Sequence, residues 1–191
     1  SAPYTLITEV KQLIPGELLE ISLSSVQLLN RSVIKLEPFN GSSCNLESIL
    51  KDVLQEWCLS DVPVGVFLSG GLDSSLLTAM STEFSDLKKA YCARFENGID
   101  ETQFAQQVAQ KYGINLEIVS VKERQYLDLT QQLVAQKGLP LSVPNEVAIY
   151  MISSRMKDDI TVAISGEGAD EFFGGYENIL NSTFSNWDEF Y

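Results

Sequence analysis

Strand-like and helix-like segments alternate along the chain from residue 45 onward, and this alternation limits the fold more than any other feature. The runs VGVFL at 64–68 and TVAI at 161–164 are apolar at successive positions. Such runs are typical of strands in a sheet with helices packed on both faces. Between the runs, apolar residues recur at three-and-four spacing, which indicates amphipathic helices. We therefore expect an α/β fold with a doubly wound parallel sheet, whose ligands bind at the carboxyl ends of the strands.

The same patterns predict the individual elements. The predicted helices cover 45–59, 72–84, 101–112, 123–137 and 145–158, and the predicted strands cover 62–69, 89–95, 115–121 and 160–165. The residues expected on one apolar face are Leu72, Leu76, Leu77, Met80 and Phe84 in the second helix, and Phe104, Val108 and Tyr112 in the third.

Residues 1–43 have a different pattern, with β-branched residues, partial alternation and turns but no helical period. A soft boundary follows in the stretch EPFNGSSCN, where proline, glycine and two serines interrupt the chain. We interpret 1–43 as a short β-rich segment with a linker, and 44–191 as a second, partial domain. Because the chain begins at Ser1 in place of methionine, we expect a processed product or an excised piece of a longer protein.

Composition excludes several classes of function. The chain has 13 basic and 26 acidic residues, and a net charge of −13 disfavours binding to nucleic acid. It has no histidine, which removes histidine bases and histidine metal ligands. The three cysteines form no C-x-x-C pair, so neither a disulfide framework nor a thiol-rich zinc site is expected, and a reducing compartment fits best. No apolar run approaches the roughly 18 residues of a membrane span, so we expect a cytoplasmic protein without membrane contact.

The stretch SGGLDSS at 69–75 directly follows an apolar strand and opens a helix. Gly70 and Gly71 permit positive φ and remove side chains that would block a close ligand. Amide groups at the helix start, with the serine hydroxyls, favour an anion, and Asp73 could hold a divalent cation against it. We interpret the loop as a pyrophosphate site that differs from both the Walker A loop and the G-x-G-x-x-G fingerprint. The alternative is a strand-to-helix turn with serine caps and no ligand.

A second stretch, SGEGADEFFGGY at 165–176, follows another apolar strand. Glu167, Asp170 and Glu171 place three acids within five residues. Such close like charges repel unless a cation or a proton stabilises them. Magnesium carried on nucleotide phosphates is a suitable partner, because it is held by a few carboxylates together with phosphate oxygens. The alternative is a solvated acidic loop followed by a glycine-rich turn.

Together, SGGLDSS and SGEGADEFFGGY resemble the synthetase domain of glutamine-dependent asparagine synthetases. The first motif alone occurs across the wider ATP-pyrophosphatase, or PP-loop, group with its adenine nucleotide alpha hydrolase-like fold. The second points to the asparagine synthetase branch. The resemblance covers residues 45 to about 180, and 1–43 look like the tail of the family's glutaminase domain with its link to the synthetase.

The resemblance implies a set of site residues and the cofactors ATP and Mg²⁺. The nucleotide-binding residues it implies are Leu68, Ser69, Gly70, Gly71, Asp73, Ser74, Ala93, Ser165 and Gly166. It places magnesium between Asp73 and Asp170, and it makes Glu167 the catalytic residue. The implied reaction converts aspartate and ATP into β-aspartyl-AMP and pyrophosphate, after which ammonia forms the amide.

The chain also departs from the family pattern. It lacks the N-terminal cysteine nucleophile of the glutaminase domain, and only fifteen residues follow Tyr176, where the family carries a catalytic lysine. A separate or removed glutaminase domain is therefore an expected partner, and the sequence leaves the source of the ammonia open. Two alternatives stay open: adenylation of another acid, as in lactam-forming, peptide-cyclising or glycan-amidating homologues, and a non-catalytic nucleotide-binding or interaction module. The interpretation also leaves a homodimer open.

Overall fold

Two sheets are present in the residues that this computed structural model describes, namely 3–35, 45–98 and 100–175. The chain divides into two compact units, Ser1–Cys44 and Asn45–Tyr191. Part of the predicted linker and Tyr176 of the second motif lie outside the described residues.

The first unit contains an antiparallel hairpin. Strand β1 (Glu17–Ser22) pairs with β2 (Gln27–Val33), and the register is irregular between Glu20 and Ile21. The Arg31 guanidinium forms an ion pair with the Glu17 carboxylate across the two strands. This hairpin confirms the predicted short β-rich segment.

The second unit contains a four-stranded parallel sheet with the strand order β5-β4-β3-β6. Its strands are β3 (Val64–Phe67), β4 (Lys89–Phe95), β5 (Asn115–Val121) and β6 (Val162–Ile164). Its helices are α1 (Leu46–Trp57), α2 (Leu72–Ser81), α3 (Thr102–Tyr112), α4 (Glu123–Lys137), α5 (Glu146–Met156) and α6 (Ala169–Phe173). The chain runs from β3 outward to β5 and then returns to the other side of β3, so the topological switch point lies between β3 and β6.

Helices cover both faces of this sheet, which confirms the doubly wound α/β fold. Strand alternation sends neighbouring side chains to opposite faces, so Ala90 and Tyr91 of β4 enter different cores. On one face, strand residues pack against Ala105 and Ala109 of α3. On the other face, Tyr91 packs against Ile152 of α5 in a cluster that also contains Met156 and Ile160.

Several element ends follow from local capping. The Asn45 side chain accepts a hydrogen bond from the amide of Glu47 at the start of α1. Gly113 ends α3 in the left-handed conformation, with φ of 68°. Helix α2 ends earlier than the predicted residue 84, because the amides of Glu83 and Phe84 bond to carbonyls three residues back, as in a tightened final turn.

The predicted apolar face of α2 is only partly buried. Met80 is buried, whereas Leu72 is 82% exposed and Leu76 is 47% exposed. Leu72 is the first residue of α2, which begins at the carboxyl edge of the sheet, and its side chain lies outside the core. Periodicity therefore located the helix correctly but overestimated how far its face extends into the core.

A polar cluster ties α5 to the sheet. The Asp159 carboxylate accepts hydrogen bonds from the Tyr91 hydroxyl at 2.8 Å and the Arg155 guanidinium at 3.0 Å, and it lies 2.9 Å from Nζ of Lys89. Arg155 also forms an ion pair with Glu117 of β5. The hydrogen bond from Lys89, followed by that from Tyr91, lowers the pKa of Asp159.

Candidate functional site

The two glycine-rich loops lie side by side at the carboxyl edge of the sheet. One follows β3 and the other follows β6, and these strands are parallel neighbours. A Cβ atom added to Gly166 would lie 3.5 Å from Cβ of Asp73 and 3.5 Å from the amide nitrogen of Ser74. The loops are therefore in contact, and a cavity of about 410 Å³ opens between them.

Gly70 fixes the course of the first loop. Its φ is 96°, in the left-handed region that favours glycine. An added Cβ would lie 2.8 Å from the carbonyl oxygen of Glu101 and 2.9 Å from the amide nitrogen of Ala105. No ordinary Cβ contact is this short, so Gly70 lets the loop pack directly against the start of α3.

Hydroxyl groups organise the residues around the start of α2. The Ser69 and Ser74 hydroxyls are 2.9 Å apart, and Oγ of Ser69 accepts a hydrogen bond from the amide of Gly71. Gly71 occupies the cap position of α2 and supplies no side-chain cap. The first amides of a helix have no intrahelical partner, and they carry the positive end of its dipole. This end of α2 thus suits an anionic group.

The second loop turns around the backbone of Asp170. Gly168 has φ of 91° and precedes α6. The amides of Gly174 and Gly175 both bond to the Asp170 carbonyl, at 2.9 and 3.2 Å. A Cβ on Gly175 would lie 1.8 Å from Oδ1 of Asp170, so the absence of a side chain there leaves the space that this carboxylate occupies.

Most of the site residues expected from the sequence line the cavity between the loops. Those lining it are Ser69, Gly71, Asp73, Ser74, Ser165, Gly166, Glu167 and Asp170. Leu68, Gly70 and Ala93 are outside its lining. Leu68 is fully buried beneath the loop, and Ala93 pairs with Val119 within the sheet and packs against the Tyr91 cluster.

Comparison with known proteins shows which family the chain belongs to. The model of the asparagine synthase family matches residues 45–191. The chain belongs to this family. The asparagine synthetase (glutamine-hydrolyzing) 1 of Bacillus subtilis (strain 168) is 32% identical over 189 residues, which cover 96% of this chain and 30% of that protein.

A second relative of this chain is named as an amidase and not as an asparagine synthetase. The amidase chry2 of Gibberella zeae is 30% identical over 146 residues, which cover 68% of this chain and 22% of that protein. The chain thus spans less than a third of the length of both relatives. Sequence similarity at this level occurs in proteins with differently named activities.

A solved structure supports the fold. The glutamine-dependent NAD+ synthetase of Acinetobacter baumannii, in complex with adenosine diphosphate, aligns with a TM-score of 0.51 and 17% sequence identity. The alignment covers 83% of this chain and 31% of that chain. Within the described part of the chain, no helix combines the length and the apolar character that crossing a membrane requires.

The cavity also contains residues that the sequence analysis did not identify. These are Phe67, Asn145 and Ile149, while Gly168 and Glu171 of the second motif also line the cavity. Asn145 occupies the cap position of α5 and is the first residue of the predicted helix 145–158, a position that gave no sign of a ligand cavity. Phe67 and Ile149 are apolar residues with no further signal in the sequence. They line the cavity because α5 packs on the sheet at this point.

A carboxylate clamp orders the segment before α5. The Glu146 carboxylate accepts hydrogen bonds from the amides of Ser142 at 2.6 Å and Val143 at 3.4 Å, and it pairs with Lys137 of α4. The hydrogen bond from Lys137, with that from the Ser142 amide, lowers the pKa of Glu146. The clamp fixes where Asn145 meets the cavity.

The carboxylates present fit a metal ion that arrives on a ligand. Among residues 3–35, 45–98 and 100–175, no group of three or more acidic, cysteine or histidine side chains is arranged to hold a metal. Magnesium, however, commonly takes one or two carboxylates and completes its shell with phosphate oxygens and water. Asp73 and Asp170 line the same cavity and could supply that pair.

The described cysteines do not contribute a reactive thiol to the cavity. Cys58 and Cys92 are both free and buried. Burial raises the pKa of the Cys92 thiol to about 11, so this thiol is neutral near pH 7. Its sulfur lies 3.9 Å from the carbonyl oxygen of Ser69, beneath the first loop. Cys92 is therefore part of the packing that supports the loop.

Proposed function

We propose that this chain is the nucleotide-binding and adenylating core of an ATP-dependent, amide-forming ligase. The single observation that carries the proposal is the contact between the two glycine-rich loops, with Ser74 and Asp73 of one against Gly166 of the other. Membership of the asparagine synthase family supports the same conclusion. A nucleoside triphosphate with its metal suits this cavity, because the helix N-terminus favours the phosphates and the carboxylates favour the metal.

The first loop is proposed to bind the phosphates. The α2 amides and the Ser69 and Ser74 hydroxyls would donate hydrogen bonds to the departing pyrophosphate, where negative charge develops. Leu68 and Ala93 would contact the adenine through their backbone groups, while Ser165 and Gly166 would border the nucleotide from the other loop. When bound at Asp73 and Asp170, Mg²⁺ would neutralise phosphate charge.

The proposed acceptor is the side-chain carboxylate of aspartate. One of its oxygens attacks the α-phosphorus of ATP, a new oxygen–phosphorus bond forms, and the bond to the β-phosphate oxygen breaks to release pyrophosphate. Ammonia then attacks the activated carbonyl, and AMP leaves. Glu167 lines the cavity and is proposed to take a proton from the attacking nitrogen.

Two further points belong to the proposal. Ammonia would be supplied by a glutaminase domain, in keeping with the glutamine hydrolysis in the name of the Bacillus subtilis relative. The relative called an amidase supports a second candidate, in which the same adenylation acts on another carboxylic acid.

Pyrophosphate exchange tests the proposal. We expect labelled pyrophosphate to enter ATP when the chain is incubated with Mg²⁺ and aspartate, because adenylation is reversible. No exchange with any carboxylic acid, despite ATP binding, would contradict a catalytic role and favour a nucleotide-binding module.

The residue Glu167 offers a sharper version of this test. Glu167→Gln should reduce amide formation from ammonia by about 100-fold, in the range of a lost general base, while ATP affinity changes less than threefold. Glu56→Gln, an exposed substitution on α1, is the matched control and should leave both unchanged. Equal losses of affinity and amide formation in Glu167→Gln would argue against a chemical role.

A further inference from the structure

A second cavity, of about 430 Å³, lies beside the first at the carboxyl ends of β4 and β5. We call it the side cavity and define it by Phe95, Glu96, Glu123, Tyr126, Leu127 and Asn145. None of these six residues was expected to bind a ligand from the sequence. Asn145 also lines the cavity between the two glycine-rich loops, which we call the nucleotide cavity, so the two spaces adjoin at this residue.

The wall of the side cavity is largely apolar and aromatic. The rings of Phe95 and Tyr126 have their centroids 6.4 Å apart and are tilted by 59°. The Tyr126 hydroxyl donates a hydrogen bond to the carbonyl oxygen of Pro144 at 3.0 Å, which fixes the ring against the segment before α5. Leu127 is 56% exposed and contributes further apolar surface. Such a wall suits a hydrocarbon chain.

The charge of the side cavity is negative. Glu96 directly follows β4 and Glu123 is the first residue of α4, and Nδ2 of Asn97 lies 3.5 Å from Oε2 of Glu123. Among the described residues that line this cavity there is no lysine or arginine. Carboxylates beside aromatic rings attract a cation, and they repel the phosphates of a nucleotide.

From this juxtaposition we propose that the side cavity binds the non-reacting end of the acceptor acid, and that this end carries a protonated amine on an apolar stem. The inference rests on the proposed adenylating function in its second form, with a carboxylic acid other than aspartate as the acceptor, because it needs the acceptor carboxylate to lie in the nucleotide cavity. Asn145 stands where the stem passes from one cavity to the other. Aspartate has a short polar side chain and leaves an apolar space of this size largely unfilled.

Calorimetric titration of the full chain tests this inference. The protein is first saturated with Mg²⁺ and a non-hydrolysable ATP analogue. It is then titrated with ω-amino acids of increasing length, from β-alanine to 8-aminooctanoate, with hexanoate and aspartate as comparisons. We expect 6-aminohexanoate to bind at least tenfold more tightly than hexanoate. Equal affinity for the two, or no binding of any ω-amino acid, would overturn the inference.

Substitution of the carboxylates locates the binding. Glu123→Gln should weaken 6-aminohexanoate about tenfold and leave hexanoate unchanged, and Glu96→Gln should act in the same direction. Asp128→Asn removes one charge from an exposed position of the same helix and is the matched control. A loss in Asp128→Asn equal to that in Glu123→Gln would show only a long-range charge effect and would refute the site.

Three further outcomes separate this inference from its alternatives. If 6-aminohexanoate binds only when the ATP analogue is left out, the side cavity holds the nucleobase and the inference is wrong. If no acid supports pyrophosphate exchange, the proposed function fails, whereas the titrations still decide whether the side cavity takes an amine. If aspartate supports exchange and the amines do not bind, the function stands and this inference falls.

Discussion

At the scale of single residues, glycines decide how closely the loops can approach their neighbours. Gly70 combines a positive φ with short distances to the backbone of α3, whereas Gly113 has a positive φ with nothing near its missing side chain. Substitutions at these two glycines therefore separate the free-energy cost of the left-handed conformation from the free-energy cost of a steric clash.

We expect Gly113→Ala to reduce the free energy of unfolding by about 1 kcal/mol, the usual cost of the left-handed conformation. Gly70→Ala should cost more, about 2–4 kcal/mol, because the backbone of Glu101 and Ala105 cannot retreat without moving α3. Urea unfolding of both variants measures the difference. Equal costs would show that the contact with α3 relaxes freely.

Asp73 allows a test of the proposed metal contact. Asp73→Asn should raise the Kd for ATP about tenfold in the presence of Mg²⁺, because a charged ligand to the metal is lost. In EDTA the same change should leave ATP affinity equal or improved, since a negative charge next to the phosphates is removed. Asp52→Asn, exposed on α1, should change neither value. A tenfold loss of ATP affinity that persists in EDTA would show that the substitution acts by changing the structure of the loop and not by removing a metal ligand.

At the scale of elements, α5 is positioned by charged contacts near both of its ends. Glu146 clamps the segment before its first turn, and Arg155 and Asp159 tie its last turn to the sheet. Between these contacts, α5 supplies Ile149 to the nucleotide cavity. The position of this wall of the cavity thus depends on polar contacts that are remote from it.

The Asp159 cluster gives a pH-dependent prediction. Because its neighbours lower the pKa of Asp159, this carboxylate stabilises the fold above its unfolded pKa, near 3.8, and that contribution disappears as the pH falls through the lower folded value. Asp159→Asn should therefore reduce Tm at pH 7, and the gap to the original protein should narrow below pH 4. Thermal melts from pH 7 to pH 2.5 measure the gap, with Asp158→Asn as the control. A gap that stays constant across this range would contradict the assignment.

At the scale of the whole molecule, the loops could be predicted and much of their surroundings could not. Glycine and acid spacing after apolar strands predicted a common site for Asp73 and Glu167, and both residues line the same cavity, because backbone conformation and charge leave a direct trace in sequence. Asn145 was missed because its place depends on how α5 packs, which no local pattern records. The exposure of Leu72 was missed for the same reason, since periodicity reports a helical face but not whether a neighbour covers it.

The division of the chain yields the last prediction. Every described residue that lines the nucleotide cavity belongs to the unit Asn45–Tyr191, and the family model matches the same range. A chain reduced to residues 45–191 should therefore bind Mg²⁺ and ATP with a Kd within about twofold of the full chain, because binding energy resides in groups that contact the ligand. Calorimetry gives the affinity, and circular dichroism shows whether the α/β unit is still folded. A folded 45–191 chain that has lost ATP affinity would mean that residues 1–44 contribute to the site, and the assignment of the site to one unit would then be wrong.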